Sequence, residues 1–524
     1  MPRCRLLNPL MGCAHAGLLT DTEAQRLFAS LSRDPIPPPD TPDVPWAVAG
    51  RTVDGRWIAS CATMWSAGVF WSVHGGSPLI GLHPRDVLGE AKGPQWSLDG
   101  DWLLDFLRHA ADPTGSPYTG LRRLLPGQTL TITAAGAATV TDWSTLPDRP
   151  QPTLTGAEAV GEYRAAIAEA VAACLDRCGP VTAEVSGGLD STFVVASLAR
   201  SYGGEILGLT AVPLPNCPSS RPGWVANDLP DASLLHRAYP HVTLRPVMNR
   251  DGIPPLSAAH DAASRSWWPP FATSNQVWLD QIAAIAGGRG SKAIWTGRSG
   301  NFSFSRGGDG AWQYHLAQRD WPSAARLLMP PGGLLRPRQW ASAVRRNLAA
   351  PARSRQDVLR QIHGQHCSNG AAGNPGSGGM IVLDPFRSRA VVDVASRLIP
   401  ATWDNWLLPR GFAREVGRDR VPDGIRLRRT RGMQAADVWL WIHDRRDDYL
   451  DAVRSLPDAP VLGPELAEMP VMRTVSAWPW GDPQTAPSLA DVTQVNRVLA
   501  MADFLRLTDA RLRAVAQASS LGAG

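Results

Sequence analysis

Residues 181–200 read VTAEVSGGLDSTFVVASLAR: a short apolar run, then Ser186-Gly187-Gly188-Leu189-Asp190-Ser191, then an apolar segment of helical character. The stretch predicts a strand, a tight loop and a helix in that order. Two adjacent glycines let the backbone turn and approach a ligand with no Cβ in the way, so successive N–H groups can converge on one anion. Ser186 and Ser191 add hydroxyl donors, and the helix that begins near Ser191 points the positive end of its dipole into the loop. Such a loop suits pyrophosphate. Asp190 would repel a bare phosphate, and a carboxylate there makes sense as a ligand of Mg²⁺, the hard cation that accompanies the phosphates of ATP. ATP is therefore the expected first substrate and Mg²⁺ its companion. Glycine, serine and aspartate also make plain strand-to-helix turns, which is the competing reading. The Gly-Lys-Ser/Thr ending of a Walker A loop is missing, which excludes the mechanics of P-loop kinases and GTPases.

The neighbouring segments extend the pattern. Thr155 to Glu158 has the spacing of a capping box and opens an expected helix that stops at Gly179. After the loop come strand EILGLTAV, helix ASLLHRAY, strand VTLRPV, helix NQVWLDQIAAIAG and strand KAIWTG. Strands alternating with helices imply βαβ units and a parallel sheet, with ligands at the carboxyl ends of the strands. Residues 1–150 instead show short strands bounded by Gly, Pro and Asp, such as RWIASCATMW, GVFWSVHG and TLTITAAGAATVTDW, with a helix over SLDGDWLLDFLRHAA and a Pro-rich loop at 34–45. The proline-bearing segment 146–156 reads as a linker, so two domains are expected, 1–150 and 151–524. Beyond about residue 310 the pattern is mostly helical, with a Gly- and Asn-rich loop at 366–379 that is either a lid or a plain surface loop.

At 524 residues the chain exceeds what one core usually supports, which agrees with two domains, each with ample core. Apolar residues make up 44% and charged residues 19%, so an ordinary globular protein is expected. No run of eighteen apolar residues and no signal-peptide pattern is present, so neither a membrane span nor secretion is expected and the cytoplasm is the expected location. The net charge of +5 is spread along the chain, which argues against nucleic acid as a partner. Seven scattered cysteines imply neither a disulfide framework nor a zinc site, and Cys174 and Cys178, four apart on a helix, read as core thiols before a metal or redox pair. The only lysines are Lys92 and Lys292, so any cation needed later in the chain must be arginine, which stays charged and is a poor general base.

The loop 186–191 resembles the SGGxDS signature of the N-type ATP-pyrophosphatases, which cleave ATP to AMP and pyrophosphate. Four further segments resemble asparagine-synthetase-type amidotransferases in the right order: 120–132 ending a family-like Pro-Gly stretch, 296–301 (TGRSGN) as the second nucleotide loop, 384–395 (DPFRSRAVVDVA), and 421–432 (VPDGIRLRRTRG), where the family carries a catalytic cation. The resemblance implies an α/β protein: an N-terminal Ntn-hydrolase-like αββα sandwich, a degenerate glutaminase, followed by a doubly wound parallel-sheet ATP-pyrophosphatase domain of the HUP type with a helical extension. It implies that Val185, Ser186, Gly187, Gly188, Asp190, Ser191, Leu209, Thr210, Thr296 and Gly297 bind the nucleotide.

The departures narrow the reading. Glutamine-hydrolysing relatives use a cysteine as the mature N-terminal residue; here residue 2 is Pro and Cys4 reads as structural. Without ammonia from glutamine, the acylated amine would come from the substrate itself, as in β-lactam synthetases and lasso-peptide cyclases. Where β-lactam synthetases carry a tyrosine in the second loop this chain has Arg298, and Asn301 stands where that loop has an aspartate; the lysine of the last segment is replaced by Arg428-Arg429-Thr430-Arg431-Gly432-Met433-Gln434. The Arg-Gly-x-Gln ending and the Asn resemble lasso-peptide cyclases. That resemblance implies a linear core peptide as substrate, an Asp or Glu side chain adenylated and then attacked by the peptide's own N-terminal amine, and a leader-binding protein and leader peptidase as companions. Asp190 and Asn301 are the expected metal ligands, with Asp309 or Asp384 as substitutes or plain structural residues. Arg298, Arg429 and Arg431 join Asp190 as the expected catalytic groups, against the reading of the arginine cluster as a solvated face. Trp267, Trp268 and Phe271 are expected either to line a peptide groove or to fill core. Small-molecule synthetases of the same family and a degenerate scaffold protein remain open alternatives.

Overall fold

A computed structural model describes residues 5–7, 13–65, 68–74, 77–89, 96–144, 154–215, 217, 223–305, 315–316, 318–328, 380–399, 410–482 and 485–521. The expected linker core at 146–153, the loop at 366–379, Cys4, Lys92 and Asp309 lie outside them.

The N-terminal part is built on two antiparallel sheets. Six strands, β1 (Arg5–Leu7), β2 (Cys13–Gly17), β3 (Trp46–Arg51), β4 (Trp57–Cys61), β8 (Gln128–Ile132) and β9 (Ala138–Asp142), lie in the order β1-β2-β3-β4-β8-β9. Three more, β5 (Val69–His74), β6 (Ser77–Gly81) and β7 (Arg122–Leu124), form a sheet in the order β6-β5-β7. Helices α1 (Asp21–Leu31), α2 (Pro84–Leu88) and α3 (Gly100–Leu107) accompany them.

Next, α4 (Gly156–Leu175) leads into a five-stranded parallel sheet whose order is β13 (Val242–Val247), β11 (Ile206–Ala211), β10 (Val181–Glu184), β14 (Ala293–Trp295), β15 (Ile381–Leu383). The strand order reverses direction between β10 and β14, which opens a crevice at the carboxyl ends of those two strands, the usual place for a nucleotide. Helices cover both faces. Ile206 points into the cluster with Phe193 and Val194 of α5 (Leu189–Ser201), and Leu209 into the one with Ile282, Ala283 and Ala286 of α8 (Gln276–Gly288); this is the alternation that a strand buried on both faces requires. Between them lie β12 (Trp224–Val225), α6 (Leu229–Ala238) and α7 (Pro255–Ser266). After β14 come α9 (Gly300–Ser303), α10 (Trp321–Leu328), α11 (Arg389–Arg397), α12 (Gly411–Val416), α13 (Asp423–Arg426), β16 (Arg431–Gly432), α14 (Val438–Ile442), α15 (Arg446–Arg454), α16 (Gly463–Glu468), α17 (Val471–Ser476) and the long α18 (Leu489–Leu521). No helix among the described residues is long and apolar enough to cross a membrane.

Two local expectations change. Thr155 does cap α4, but its side chain accepts no hydrogen bond. Gly156 takes φ +57° at the first helical position, which turns Thr155 away from the N–H groups it would cap. A capping box forms at α1 instead, with Thr20 Oγ accepting from Glu23 N at 3.2 Å and Glu23 Oε2 from Thr20 N at 2.8 Å. In the part expected to be mostly helical, the stretch 433–456 is not one helix: a 3₁₀ turn at His443–Arg445, none of whose residues is buried, separates α14 from α15.

The two halves share their apolar clusters. One runs from Trp46, Ile58 and Leu130 through to Phe193 and Trp295; another joins Phe70, Trp102 and Tyr118 to Trp439, Tyr449, Trp478 and Phe504 of the helical extension. Polar ties cross the same boundary: Arg177 to Glu23 at 2.8 Å, Arg389 N to Asp43 at 2.8 Å, and Tyr118 Oη to Trp267 O at 2.7 Å. Trp268 is fully buried against Trp102 and Phe70, and Trp267 lies under Arg511. Both tryptophans are packing residues, and Phe271 alone of the three reaches the cavity described below.

Candidate active site

Val185 closes the ladder by donating its N–H to Leu209 O at 2.9 Å, and the chain then leaves the sheet as 186–188 before α5 begins. Gly187 takes φ +62°, and a Cβ there would stand 2.9 Å from Asp228 O, so the turn requires glycine twice over. The hydroxyls of Ser186 and Ser191 lie 2.9 Å apart, and Ser186 N donates to Ser191 Oγ at 3.1 Å. Gly188 is the N-cap of α5 and offers no side-chain acceptor. The first N–H groups of α5 therefore face the crevice uncapped, as an anion site needs.

The second loop locks onto this one. A Cβ on Gly297 would lie 2.7 Å from Ser191 N, and one on Gly300 would lie 2.5 Å from Asp190 Oδ1. Two glycines thus let 296–301 pack directly on the start of α5. Asp384, 3% exposed, ties that loop to β15 by accepting from Ser299 N at 2.7 Å and Phe386 N at 3.2 Å; burial pushes its carboxyl up to about 6. Its role is the turn and cap before Pro385.

Asp190 has a side chain 16% exposed, and burial pushes its carboxyl above the ordinary range while Arg410 pulls it back. Its Oδ1 is buried and accepts no hydrogen bond among the described residues. On the other side, Arg410 Nη1 stands 3.6 Å from Asp190 Oδ2, and Arg410 Nη2 donates to Asn301 Oδ1 at 3.1 Å. Arg410 adopts φ +65°, a left-handed conformation that costs a non-glycine residue about 1–2 kcal/mol. A guanidinium therefore spans the two residues expected to hold a metal. Arg298 turns to Glu184 at the end of β10, donating through Nε at 3.1 Å and through Nη2.

In the arginine-rich segment the residue that reaches the phosphate loop is Arg428. It is paired with Asp228 at 3.0 Å and Asp231 at 2.8 Å, and its Nη1 donates to Gly187 O at 3.3 Å. Its Nη2 is buried with no hydrogen-bond partner among the described residues. Burial lifts Asp228 to about 6 although Arg428 pulls it down. Arg431 sits in β16, beside β12, with its guanidinium over the Trp224 ring at 6.0 Å; both it and Arg429 are exposed. Pairing of β12 with β16 decides this, because Trp224 stands opposite Arg431 and Asp228 packs on Gly432.

A cavity of about 560 Å³ opens here. Of the residues expected to bind nucleotide or metal, Val185, Ser186, Asp190, Ser191, Leu209, Gly297 and Asn301 line it, together with Arg298. Gly187 and Gly188 form the turn behind the wall, and Thr210 and Thr296 are buried with hydroxyls that find no partner among the described residues. Arg429 and Arg431 are not on the wall. The cavity continues past the phosphate loop between Phe271, Trp278, Trp441, Asp437 and Arg497. Asp437, 9% exposed, accepts from Leu214 N at 3.0 Å, and burial raises its carboxyl. Gln434, also on the wall, accepts from Asn275 Nδ2 at 2.9 Å. Glu184, Arg410, Asp437 and Arg497 were not singled out in the sequence, where each is one more charge with no motif around it; Arg428 lay in the quoted arginine segment, but Arg429 and Arg431 were the ones expected to act.

The residues fit a hard cation at Asp190: a buried carboxylate oxygen without a donor is what such an ion satisfies. Among the described residues no group of three or more His, Cys, Asp or Glu stands ready for a metal, so phosphate oxygens and water would complete the shell. Cys61, Cys174 and Cys178 are buried thiols whose pKa burial raises, Cys61 to about 12; these are core groups and not nucleophiles.

No curated protein matches the chain. Residues 162–370, from within α4 across the loops at 186–191 and 296–301, match the asparagine synthase family, a match that supports ATP-dependent amide-forming activity in general.

Proposed function

We propose that this chain closes a macrolactam ring in a ribosomally made lasso peptide, using ATP and Mg²⁺. A side-chain carboxylate of the linear core peptide attacks the α-phosphorus of ATP, the bond to the β-phosphate breaks, and pyrophosphate leaves. The peptide's N-terminal amine then attacks the acyl carbon of the acyl-adenylate; AMP departs with the electron pair of the C–O bond, and the amine loses a proton. Asp437 is the residue proposed to accept it, since burial raises its basicity and it lines the same cavity. The uncapped start of α5 with Ser186 and Ser191 holds the pyrophosphate, and Arg428 steadies the Gly187 carbonyl from behind. Asp190 would hold Mg²⁺, which when bound would neutralise charge at the attacked phosphorus. Arg410, reaching Asn301 where the resembling enzymes have an acid, supplies the charge that Asn cannot attract to a metal.

The observation that carries the adenylation chemistry is the orphaned Oδ1 of Asp190 beside the second loop, in a domain of the asparagine synthase family. What favours a peptide is the extension of the cavity past the nucleotide end into a wall of Phe271, Trp278 and Trp441. Holding a folded peptide there removes translational and conformational freedom, a contribution of up to about 7–11 kcal/mol. In the N-terminal part, the two antiparallel sheets are in keeping with a glutaminase-like sandwich, and Cys61 is too deeply buried and too weakly acidic to hydrolyse glutamine. A leader-binding protein and a leader peptidase are the proposed companions, and the cytoplasm the proposed location.

The test is purified protein with ATP, Mg²⁺ and a candidate leaderless peptide. The expected product is lighter by one water, with AMP and pyrophosphate released. Turnover of a small amino acid derivative without peptide would place the chain with small-molecule synthetases, and nucleotide binding without turnover would make it a scaffold.

A further inference from the structure

The cavity has a charged wall that adenylation does not use. Leu489, Thr493 and Arg497 lie four residues apart on α18, so they share one face of that helix, and all three line the cavity. Arg497 is 8% exposed. Its guanidinium carbon lies 4.3 Å from the centre of the Phe271 ring, and Nη1 stands 2.5 Å from His109 Nε2. His109 in turn meets the edge of Phe271 at 5.1 Å. Arg497 Nε is buried and makes no hydrogen bond among the described residues.

No described carboxylate neutralises this cation; burial alone acts on it, and it lowers the pKa. His109 does not help, because burial and the nearby Arg497 drive the imidazole toward its neutral form. Acids at the phosphate end are engaged elsewhere: Glu184 with Arg298, Asp228 with Arg428, Asp190 beside Arg410. A guanidinium out of water costs several kcal/mol unless an anion meets it, and the open side of this one is the cavity.

Resting on the adenylation reading above, we infer that Arg497 receives a second carboxylate of the acyl substrate, distinct from the one that is activated. The planar fork of arginine matches two carboxylate oxygens. Phe271 fixes the plane of that fork, and Thr493, one turn earlier, offers a hydroxyl beside it. The substrate class is thus a peptide that carries, besides its ring-forming Asp or Glu, another acid on a side chain or at a free C-terminus. That acid anchors the peptide while the phosphate-loop end of the cavity performs the adenylation.

The experiment uses the full chain and pyrophosphate exchange into ATP, driven by synthetic linear peptides that hold one activatable Glu and a C-terminal amide. Matched peptides carry one added carboxylate, placed in turn at each other position or at the C-terminus. At least one placement should lower KM by about ten- to a hundredfold in the native protein. Arg497→Gln should remove that advantage, so that one-acid and two-acid peptides give the same KM while the KM for ATP holds, and Arg497→Lys should restore part of it. The inference is overturned when no placement gives an advantage that Arg497→Gln erases. Should no peptide support exchange at all, the adenylation reading has failed, and calorimetry with glutarate then tests the anion site alone: glutarate bound by native protein and by Arg497→Lys but not by Arg497→Gln upholds the site, and equal binding to all three removes it.

Discussion

One cavity has two ends that are made in opposite ways. The end proposed to hold phosphate comes from six consecutive residues, Ser186 to Ser191, and a second loop whose Gly297 and Gly300 let it press against them. The far end gathers Phe271 and Trp278, Asp437 and Trp441, and Thr493 and Arg497 from three separate parts of the chain, held by a core of Trp102, Trp268, Trp439 and Trp478 that both halves of the molecule share. Grip on a triphosphate needs N–H groups, a helix end and one acid, which a short segment can supply by itself. Recognition of the second substrate depends on where distant elements dock, so it belongs to the tertiary packing and can change without disturbing the first end.

This difference can be broken by substitution. The largest effect is expected at Arg428, the cation behind the phosphate loop. Arg428→Met leaves Asp228 and Asp231 facing each other half-buried, and should cost about 3 kcal/mol of stability in denaturant unfolding, along with ATP affinity. Arg431→Met, three residues on, loses only a contact with the exposed Trp224 ring and should cost about 0.5–1 kcal/mol. Equal losses would mean that the two arginines are not distinguished as described. At the far end, Phe271→Ala should raise the KM for the acyl substrate about tenfold while the KM for ATP stays within about twofold, as steady-state kinetics would read. A parallel rise in both constants would show that the ends are not separable.

A modest effect lies at the seam between the halves, where Arg177 holds the Glu23 carboxyl down at about 2 from an ordinary 4.5. A carboxylate with a depressed folded pKa stabilises fully above its unfolded value and loses that contribution as pH falls through the folded one. Glu23→Gln should therefore cost about 1 kcal/mol near neutral pH, and its melting temperature should converge on that of the native protein between about pH 4.5 and pH 2. A constant gap across that range would assign the cost to packing instead.

The parallel sheet and its loop were readable because both are local: period-two apolar runs, glycines at the turn, a helix after them. The segment TGRSGN was picked out by its resemblance to a family loop, and its two glycines, Gly297 and Gly300, are what let it pack on the start of α5. Which arginine of Arg428-Arg429-Thr430-Arg431 turns inward was not readable, because Arg428 and Arg429 lie in the irregular connection between α13 and β16, where no sequence period sets a direction, and the docking of that connection on Asp228 and Asp231 does. Trp267 and Trp268 looked equally fit for groove or core; the left-handed turn at Trp267 that ends α7 and the docking of Trp102 send both inward. Arg410 and Arg497 had no local pattern at all. Their meaning comes from an unpaired acid oxygen and an unpaired guanidinium nitrogen, which exist only once the chain is folded.

In the proposed function, Asp190 and the loop around it present the α-phosphorus of ATP to a carboxylate. The most direct measurement of this step is exchange of labelled pyrophosphate into ATP, with the AMP formed counted beside it, for the native chain and for Asp190→Asn at matched thermal stability. Exchange that needs the acyl substrate and falls by at least about a hundredfold in the variant is the expected result. Formation of ADP and phosphate, or exchange undiminished in Asp190→Asn, would contradict it.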